Sequence, residues 1–205
     1  MIRLMIILGS TREGRFGEKI ADWVIEQVTL LKDFKVDFVD LRDIELPFFA
    51  EALPPAAIKD GNYSNPQALA WSQRVKEADA FLIITLEYNH SYPAVLKNAL
   101  DYVYYEWNNK PAAFVGYGVV GAVRAIEHLR GVVAQLQMVS VQEAVHMNIF
   151  PSPFDEDQEM TEEHYNHKLT SVFKQLLWWA QALKLARLES SSPRPAVSQR
   201  VVSSN

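Results

Sequence analysis

The chain has 205 residues, enough for one domain with a sizeable buried core. Its formal net charge of −5 argues against a nucleic-acid-binding protein, which needs a basic surface to displace counterions from phosphates. It contains no cysteine, which excludes disulfides, thiolate metal ligands, cysteine nucleophiles and iron–sulfur clusters, so any redox chemistry needs a bound cofactor.

Apolar runs of strand length alternate with stretches of helical periodicity along the chain. A continuous apolar run is typical of a parallel strand covered on both faces, and apolar residues three and four apart indicate one buried helix face. The sequence predicts strands at 4–8, 36–39, 80–85, 112–115 and 138–141, and helices at 17–31, 66–78, 93–105, 121–136 and 161–186. Asn65-Pro66 is typical of a helix N-cap followed by proline at the first helical position.

Strands separated by helices predict a parallel sheet with helices on both faces, since parallel neighbours need crossover connections. Periodicity alone does not choose between the two common strand orders of such sheets. We expect one domain over residues 1–188 and a disordered Ser/Pro-rich tail over 189–205. No apolar segment is long enough to span a bilayer and the N-terminus lacks the features of a signal peptide, so we expect a cytoplasmic protein without membrane association.

The connections after the first, third and fourth strands are the candidate binding segments, because open α/β sheets bind ligands at the carboxyl ends of their strands. The first reads Gly9-Ser10-Thr11-Arg12-Glu13-Gly14-Arg15-Phe16-Gly17 and leads directly into a helix. Hydroxyls, arginines, backbone amides and a helix N-terminus together suit a phosphate monoester. A P-loop is rejected, because Arg15 and Phe16 replace its lysine and its Ser/Thr.

The other two connections each leave an alternative open. The third-strand segment, Leu86-Glu87-Tyr88-Asn89-His90-Ser91-Tyr92-Pro93, suits a planar heterocycle or an ordinary turn into a helix. The fourth, Gly116-Tyr117-Gly118-Val119-Val120-Gly121, matches the G-x-G-x-x-G of dinucleotide-binding folds, so a Rossmann dehydrogenase is an alternative. It is less favoured, because that fingerprint normally lies in the first βα turn, whereas here only one strand and one helix follow.

Taken together, three segments resemble the NAD(P)H-dependent FMN reductase family, which is flavodoxin-like and includes quinone, azo-dye and chromate reductases. They are Gly9-Ser10-Thr11-Arg12, then Glu87-Tyr88-Asn89-His90-Ser91-Tyr92-Pro93 with Leu96-Lys97-Asn98-Ala99-Leu100-Asp101, and Gly116-Tyr117-Gly118. The similarity spans residues 4–147. It implies a three-layer α/β/α fold with a five-stranded parallel sheet in the order 2-1-3-4-5.

The resemblance also implies a cofactor site. The FMN phosphate would be held by Ser10, Thr11 and Arg12, with the cradle completed by Arg15, Phe16 and Gly17. The ribityl chain and the isoalloxazine would be lined, mostly by backbone groups, by Glu87, Tyr88, Asn89 and His90. The pyrimidine edge of the ring would meet Gly116, Tyr117 and Gly118.

The implied activity takes hydride from NADPH or NADH and passes electrons to a small acceptor such as free flavin, a quinone or an azo compound. Because the flavin carries the chemistry, no catalytic side chain and no metal is expected. An FMN-binding electron carrier without nicotinamide activity is the alternative, although such carriers are more strongly acidic than this chain. The resemblance implies a homodimer or homotetramer, and an aromatic cluster favours a subunit interface at Tyr102, Tyr104, Tyr105 and Trp107.

Overall fold

The computed structural model of the chain describes residues 1–59 and 61–191. Strands and helices alternate along it. The strands are β1 (Ile2–Leu8), β2 (Phe34–Asp40), β3 (Ala80–Leu86), β4 (Pro111–Gly118) and β5 (Val139–Asn148). The helices are α1 (Gly17–Thr29), α2 (Pro66–Glu77), α3 (Ala94–Asp101), α4 (Val123–Gln135) and α5 (Glu163–Ser191).

All five strands are parallel and form one sheet in the order β2-β1-β3-β4-β5, which confirms the fold implied by the resemblance. β1 and β3 are neighbours, with Leu8 paired to Ile84. The helix after β1 packs on one face of the sheet and the helix after β3 on the other. The chain therefore leaves a crevice where these two strands end, which is the usual ligand position in such sheets.

Alternate residues of the central strands face opposite helical layers. Leu4, Ile6 and Leu8 pack against α1 and α5, whereas Met5 and Ile7 pack against α2, α3 and α4. Burial of both faces explains why these strands appear in the sequence as unbroken apolar runs.

Helix α2 begins where the sequence predicts. The Asn65 side chain accepts hydrogen bonds from the N–H groups of Gln67 at 2.8 Å and Ala68 at 3.2 Å, and Pro66 occupies the first helical position. The predicted N-cap is therefore confirmed.

The prediction that a helix runs over 93–105 is wrong at its C-terminal end, because α3 ends at Asp101. The chain turns after Tyr102 so that Trp107 packs edge-on against Trp71 and Phe81, with ring centroids 5.9 and 4.7 Å away. Tyr102 and Trp107 are both buried in the core. These two rings therefore cannot support the subunit interface that the aromatic cluster suggested.

Strands β4 and β5 are longer than predicted. β4 runs through Gly118, so Gly116 and Gly118, which were expected in a connection, lie in a strand, and α4 begins at Val123 rather than at 121. β5 reaches Asn148 rather than 141. α5 continues to Ser191, so residues 189–191 are helical, while the remainder of the predicted tail, 192–205, lies outside the described residues.

Candidate functional site

Three connections meet at the carboxyl edge of the sheet: the β1 loop (residues 9–16), the β3 loop (residues 87–93) and the β4 loop (residues 119–122). Strand pairing places them side by side, since Leu86 at the end of β3 is in register with Tyr117 of β4. The N–H of Gly9 donates to the carbonyl of Ile84 at 2.9 Å. The three segments that the sequence selected are therefore neighbours in the fold.

The β1 loop carries backbone donors without acceptors. For the N–H groups of residues 10–14, no hydrogen-bond acceptor is found in the described part of the chain. Helix α1 follows directly, and Phe16 at its N-cap position supplies no side-chain hydrogen bond. Free N–H groups at the positive end of a helix dipole suit an anion.

Buried polar atoms beneath the loop are also unpaired. Ser10 is fully buried, and its Oγ, the Tyr117 hydroxyl and the Arg15 Nε have no hydrogen-bond partner among the described residues. Burial raises the pKa of Tyr117 to about 12, although the nearby Ser10 hydroxyl acts in the opposite direction and lowers that pKa by a smaller amount. Unpaired buried polar groups are costly, so these atoms fit a polar ligand group such as a phosphate.

Arg15, predicted to complete the phosphate cradle, is instead paired with Asp40 at the end of β2. Its Nη1 donates to Asp40 Oδ1 at 2.9 Å and also contacts the carbonyl of Ser10. Burial opposes ionisation of Asp40, yet the Arg15 guanidinium lowers the pKa of that carboxyl below its ordinary value. The exposed Thr11 and Arg12 have no side-chain partner among the described residues, so Arg12 is the cation that the loop presents to solvent.

The side chain of Tyr117 turns back toward the β1 loop. Its ring centroid lies 6.4 Å from that of Phe16, and its hydroxyl occupies the space beside Gly17. Tyr117 is almost fully buried. Its predicted contact with the pyrimidine edge of a flavin can therefore involve only its backbone.

The β3 loop ends in a tight, exposed turn. The N–H of Tyr88 donates to the carbonyl of Ser91 at 2.8 Å, and the N–H of Ser91 donates back at 3.0 Å. Between them, Asn89 and His90 have φ values of 50° and 70°, as the two central residues of a type I′ turn do. Tyr88 is 40% exposed, and Asn89 and His90 are exposed as well.

Glu87 directs its carboxylate to α4 rather than to the open edge of the sheet. It accepts hydrogen bonds from the backbone N–H of Arg124 at 3.2 Å and from the Arg124 Nε at 2.6 Å. Burial opposes ionisation of Glu87, yet Arg124 lowers the pKa of Glu87 below its ordinary value. Glu87 thus leaves its backbone, and not its side chain, to a ligand.

The two glycines of β4 have different surroundings. A Cβ on Gly116 would collide with the carbonyl oxygen of Gly121 and with the Ile126 side chain, so its small size serves packing within the chain. Gly118 has φ +148°, and no described residue lies within 4 Å of the position that a Cβ on it would take. The N–H groups of Val119 and Val120 have no acceptor in the described ranges. The open end of β4 is therefore formed by 118–120, while Gly116 is buried.

Sequence reasoning did not select Asp40 or Arg124, and it took His128 for a packing or surface residue. In the structure Asp40 pairs with Arg15, Arg124 pairs with Glu87, and Nδ1 of His128 lies 3.0 Å from the Ser91 hydroxyl. The role of Asp40 depends on β2 lying beside β1, which no local pattern encodes. Arg124 and His128 are four residues apart on a helix, which places them on one face, and this spacing was a usable signal.

Other features bear less on the site. Within residues 1–59 and 61–191, no group of three or more His, Cys, Asp or Glu side chains is placed to hold a metal ion. His164 and His167, which stand at helical spacing beside Glu163, each lie 3.5 Å from one glutamate oxygen. None of the described helices combines the length and apolarity needed to cross a membrane.

The chain is similar to known proteins over most of its length. Residues 2–151 match the family model described as NADPH-dependent FMN reductase. An NAD(P)H-dependent FMN reductase of Schizosaccharomyces pombe is 38% identical over 137 residues, covering 66% of this chain and 68% of that protein. An NAD(P)H:quinone oxidoreductase of Solanum tuberosum is 32% identical over 197 residues, covering 90% of this chain and 95% of that protein.

A solved structure has the same fold. The flavoenzyme NAD(P)H:acceptor oxidoreductase from Paracoccus denitrificans superposes with a TM-score of 0.71, covering 89% of this chain and 98% of that one. The two sequences are 24% identical, so this likeness concerns the fold alone.

Proposed function

The chain belongs to the NADPH-dependent FMN reductase family, and from that premise we propose that its β1, β3 and β4 loops hold FMN. It is an FMN-dependent oxidoreductase that uses NAD(P)H and serves a small electron acceptor. The single observation that supports the proposed site is the set of polar groups in and beneath the β1 loop that find no partner in residues 1–59 and 61–191.

We assign the FMN phosphate to the β1 loop. The Ser10 hydroxyl, the N–H groups of residues 10–14 and the exposed Thr11 and Arg12 side chains would contact it. Arg15 would hold the loop in shape through the Ser10 carbonyl. Phe16 and Gly17 would contribute the N-terminus of α1.

We assign the ribityl chain and the ring to the β3 and β4 loops. Backbone groups of residues 87–90 would flank the ring, with the exposed Tyr88 side chain at its edge. The pyrimidine edge would face Gly118 and the free N–H groups of Val119 and Val120. Oriented N–H donors at that edge stabilise negative charge without reorganising.

FMN, when bound, supplies the hydride and electron chemistry. The chain contributes binding, orientation and backbone electrostatics, and no side chain acts as acid or base. The tip of the β3 loop faces solvent, since Asn89 and His90 are exposed. This openness suits two substrates that bind in turn.

A quinone or free flavin is the acceptor class that this arrangement suits best. The exposed Asn89 and His90, beside the proposed ring position, would leave room for a small flat acceptor. The similarity to a quinone oxidoreductase of Solanum tuberosum supports a quinone.

Anaerobic reduction of the FMN-loaded protein tests this function. Addition of NADPH or NADH is expected to bleach the flavin absorption band, and a benzoquinone added afterwards is expected to restore it. If dithionite bleaches the flavin but neither NADPH nor NADH does, the protein would instead be an electron carrier without nicotinamide activity. A protein that retains no FMN after gel filtration would overturn the site itself.

We propose further that the chain forms a homodimer or homotetramer through the apolar rim of the site. Val119 and Phe150 are 69% and 67% exposed, and Val120 is exposed beside them. The N–H of Ile149 donates to the carbonyl of Gly118 at 3.3 Å, which holds Phe150 near the β4 loop. Apolar side chains clustered beside a site are typical of interaction surfaces. Light scattering should report an oligomer that Phe150→Asp disrupts; a monomeric wild type would contradict the proposal.

We also propose a cytoplasmic location. The activity draws on NAD(P)H, which cells hold internally, and a chain without cysteine gains nothing from an oxidising compartment. Cell fractionation with immunodetection tests this location, and protein found only outside the cell would contradict it.

A further inference from the structure

The β3 loop is fastened to one face of α4 at two points. Glu87 accepts a hydrogen bond from the Arg124 Nε at 2.6 Å, and the Ser91 hydroxyl is 3.0 Å from Nδ1 of His128. Arg124 and His128 lie one helical turn apart, so both attachments come from the same side of one helix.

The segment between the two attachments is a closed turn. Two backbone hydrogen bonds join Tyr88 to Ser91, and Asn89 and His90 hold left-handed backbone conformations. The two backbone hydrogen bonds across this turn limit its internal freedom. Its position over the carboxyl edge of the sheet therefore depends on the contacts that Glu87 and Ser91 make with α4.

We propose that Arg124 and His128 are positioning residues that fix the β3-loop turn against the flavin ring. The inference rests on the proposed function, because it requires the ring to lie along residues 87–90. Both residues act through a partner, Arg124 through Glu87 and His128 through Ser91.

Glu87 makes two contacts with Arg124, one with its side chain and one with its backbone N–H, and a substitution of Arg124 removes only the first. The Glu87 carboxylate also accepts the backbone N–H of Arg124 at 3.2 Å, at a helix N-terminus where Ala122 offers no side-chain cap. A carboxylate is favourable at that end of a helix. Replacing the Arg124 side chain leaves the backbone bond in place, so the cap remains while the loop loses one fastening.

A matched control stands on the same helix. Arg130 donates to the carbonyls of Val141 at 2.7 Å and Gln142 at 2.9 Å, which joins α4 to β5 rather than to the β3 loop. Arg130→Met therefore removes an arginine and its hydrogen bonds from α4 without releasing residues 87–91.

The experiment compares Arg124→Met, His128→Leu and Arg130→Met as FMN-loaded proteins. The readouts are the FMN dissociation constant, the visible circular dichroism of the bound flavin, and urea unfolding. We expect Arg124→Met and His128→Leu each to raise the dissociation constant about fivefold and to change the flavin dichroism. In His128→Asn the side-chain amide can take the place of Nδ1, so this variant should keep the wild-type FMN affinity and flavin dichroism that His128→Leu loses. Arg130→Met should lower stability without either change.

The outcomes separate the two proposals. A wild type that binds no FMN overturns the proposed function. A wild type that binds FMN, with Arg124→Met and His128→Leu at wild-type affinity and dichroism, overturns the positioning roles alone. The same flavin changes in Arg130→Met would also overturn them, since they would then reflect general destabilisation of α4.

Discussion

The hydroxyl of Tyr117, on β4, occupies the space that a Cβ on Gly17, at the start of α1, would need. The same position on Gly17 is 3.0 Å from the Leu8 side chain. The contact joins the start of α1, directly after the β1 loop, to β4 across the intervening β3. The proposed phosphate and ring halves of the site are therefore coupled through packing of the protein on itself.

Gly17→Ala is expected to lower the free energy of unfolding by about 1–3 kcal/mol, because the added methyl over-packs this contact. Tyr117→Phe removes the nearest atom, so the double variant should recover much of the loss. Urea unfolding measures both. Gly131→Ala is the control, since nothing lies within 4 Å of its Cβ position and alanine favours the helix. A Gly17→Ala protein as stable as wild type would contradict the packing described.

Ser10→Ala is expected to leave the FMN-free protein as stable as wild type or more stable by about 1 kcal/mol, because the buried Ser10 hydroxyl has no hydrogen-bond partner among the described residues. FMN affinity should fall about tenfold as a phosphate contact is lost. Fluorescence titration and urea unfolding report the two effects. Ser72→Ala is the control. It should lower the free energy of unfolding and leave FMN affinity unchanged, because the Ser72 hydroxyl donates to Glu106 at 2.5 Å, away from the site. Unchanged affinity in Ser10→Ala would argue against phosphate at this loop.

Asp40→Asn is expected to lower stability at neutral pH by about 3 kcal/mol, because the buried Arg15 loses its closer carboxylate partner and is left with the half-exposed Glu18, 3.2 Å away. The folded-state pKa of Asp40 is lowered, so its carboxylate stabilises the protein above its unfolded-state pKa, about 4. That contribution is lost as the pH falls from there through the folded-state pKa.

Urea unfolding over a pH series tests the sign of this effect. The stability of wild type should approach that of Asp40→Asn as the solution is acidified. Asp79 and Glu87 have pKa values lowered in the same way, so the variant keeps part of the acid dependence. A constant difference between the two proteins down to about pH 2 would be incompatible with the assigned pairing.

Asn98→Ala is expected to release the segment that follows β2. The Asn98 Oδ1 accepts the N–H of Phe49 at 3.0 Å, and its Nδ2 donates to the carbonyl of Pro47 at 2.9 Å. Loss of these bonds should cost about 1–2 kcal/mol and speed hydrogen exchange at residues 46–49. Lys97→Ala, which removes only a partly exposed pair with Asp101, should do neither. Unchanged exchange in Asn98→Ala would refute this role.

Strand positions and the fold class could be predicted from the sequence, because a strand that is buried on both faces consists of apolar residues without interruption. Leu4 to Leu8 are all buried, and no polar residue interrupts them. The end of α3 could not be read in this way. Helical periodicity continues past Asp101, but the core position of Trp107 between two distant aromatic rings draws the chain out of the helix.

The site was predicted at the level of segments and less well at the level of side chains. Arg12 and Arg15 look equivalent in sequence, but Asp40 from a neighbouring strand pairs with Arg15, whereas Arg12 has no ion pair among the described residues. Gly116 and Gly118 look equivalent as well, although only Gly118 stands in open space. For the arginines the deciding residue, Asp40, lies 25 positions along the chain. For the glycines it is the way the following turn and helix α4 fold back onto Gly116, which residue type alone does not reveal.

The donors of residues 10–14 belong to the main chain, and only proline would remove one of them by substitution. Most side chains of this segment can therefore change without abolishing its capacity to hold an anion. Proteins that share the backbone geometry of this segment can therefore differ widely in its amino-acid sequence. A search for related binding loops would do better to compare the direction of backbone N–H groups than to compare residue types.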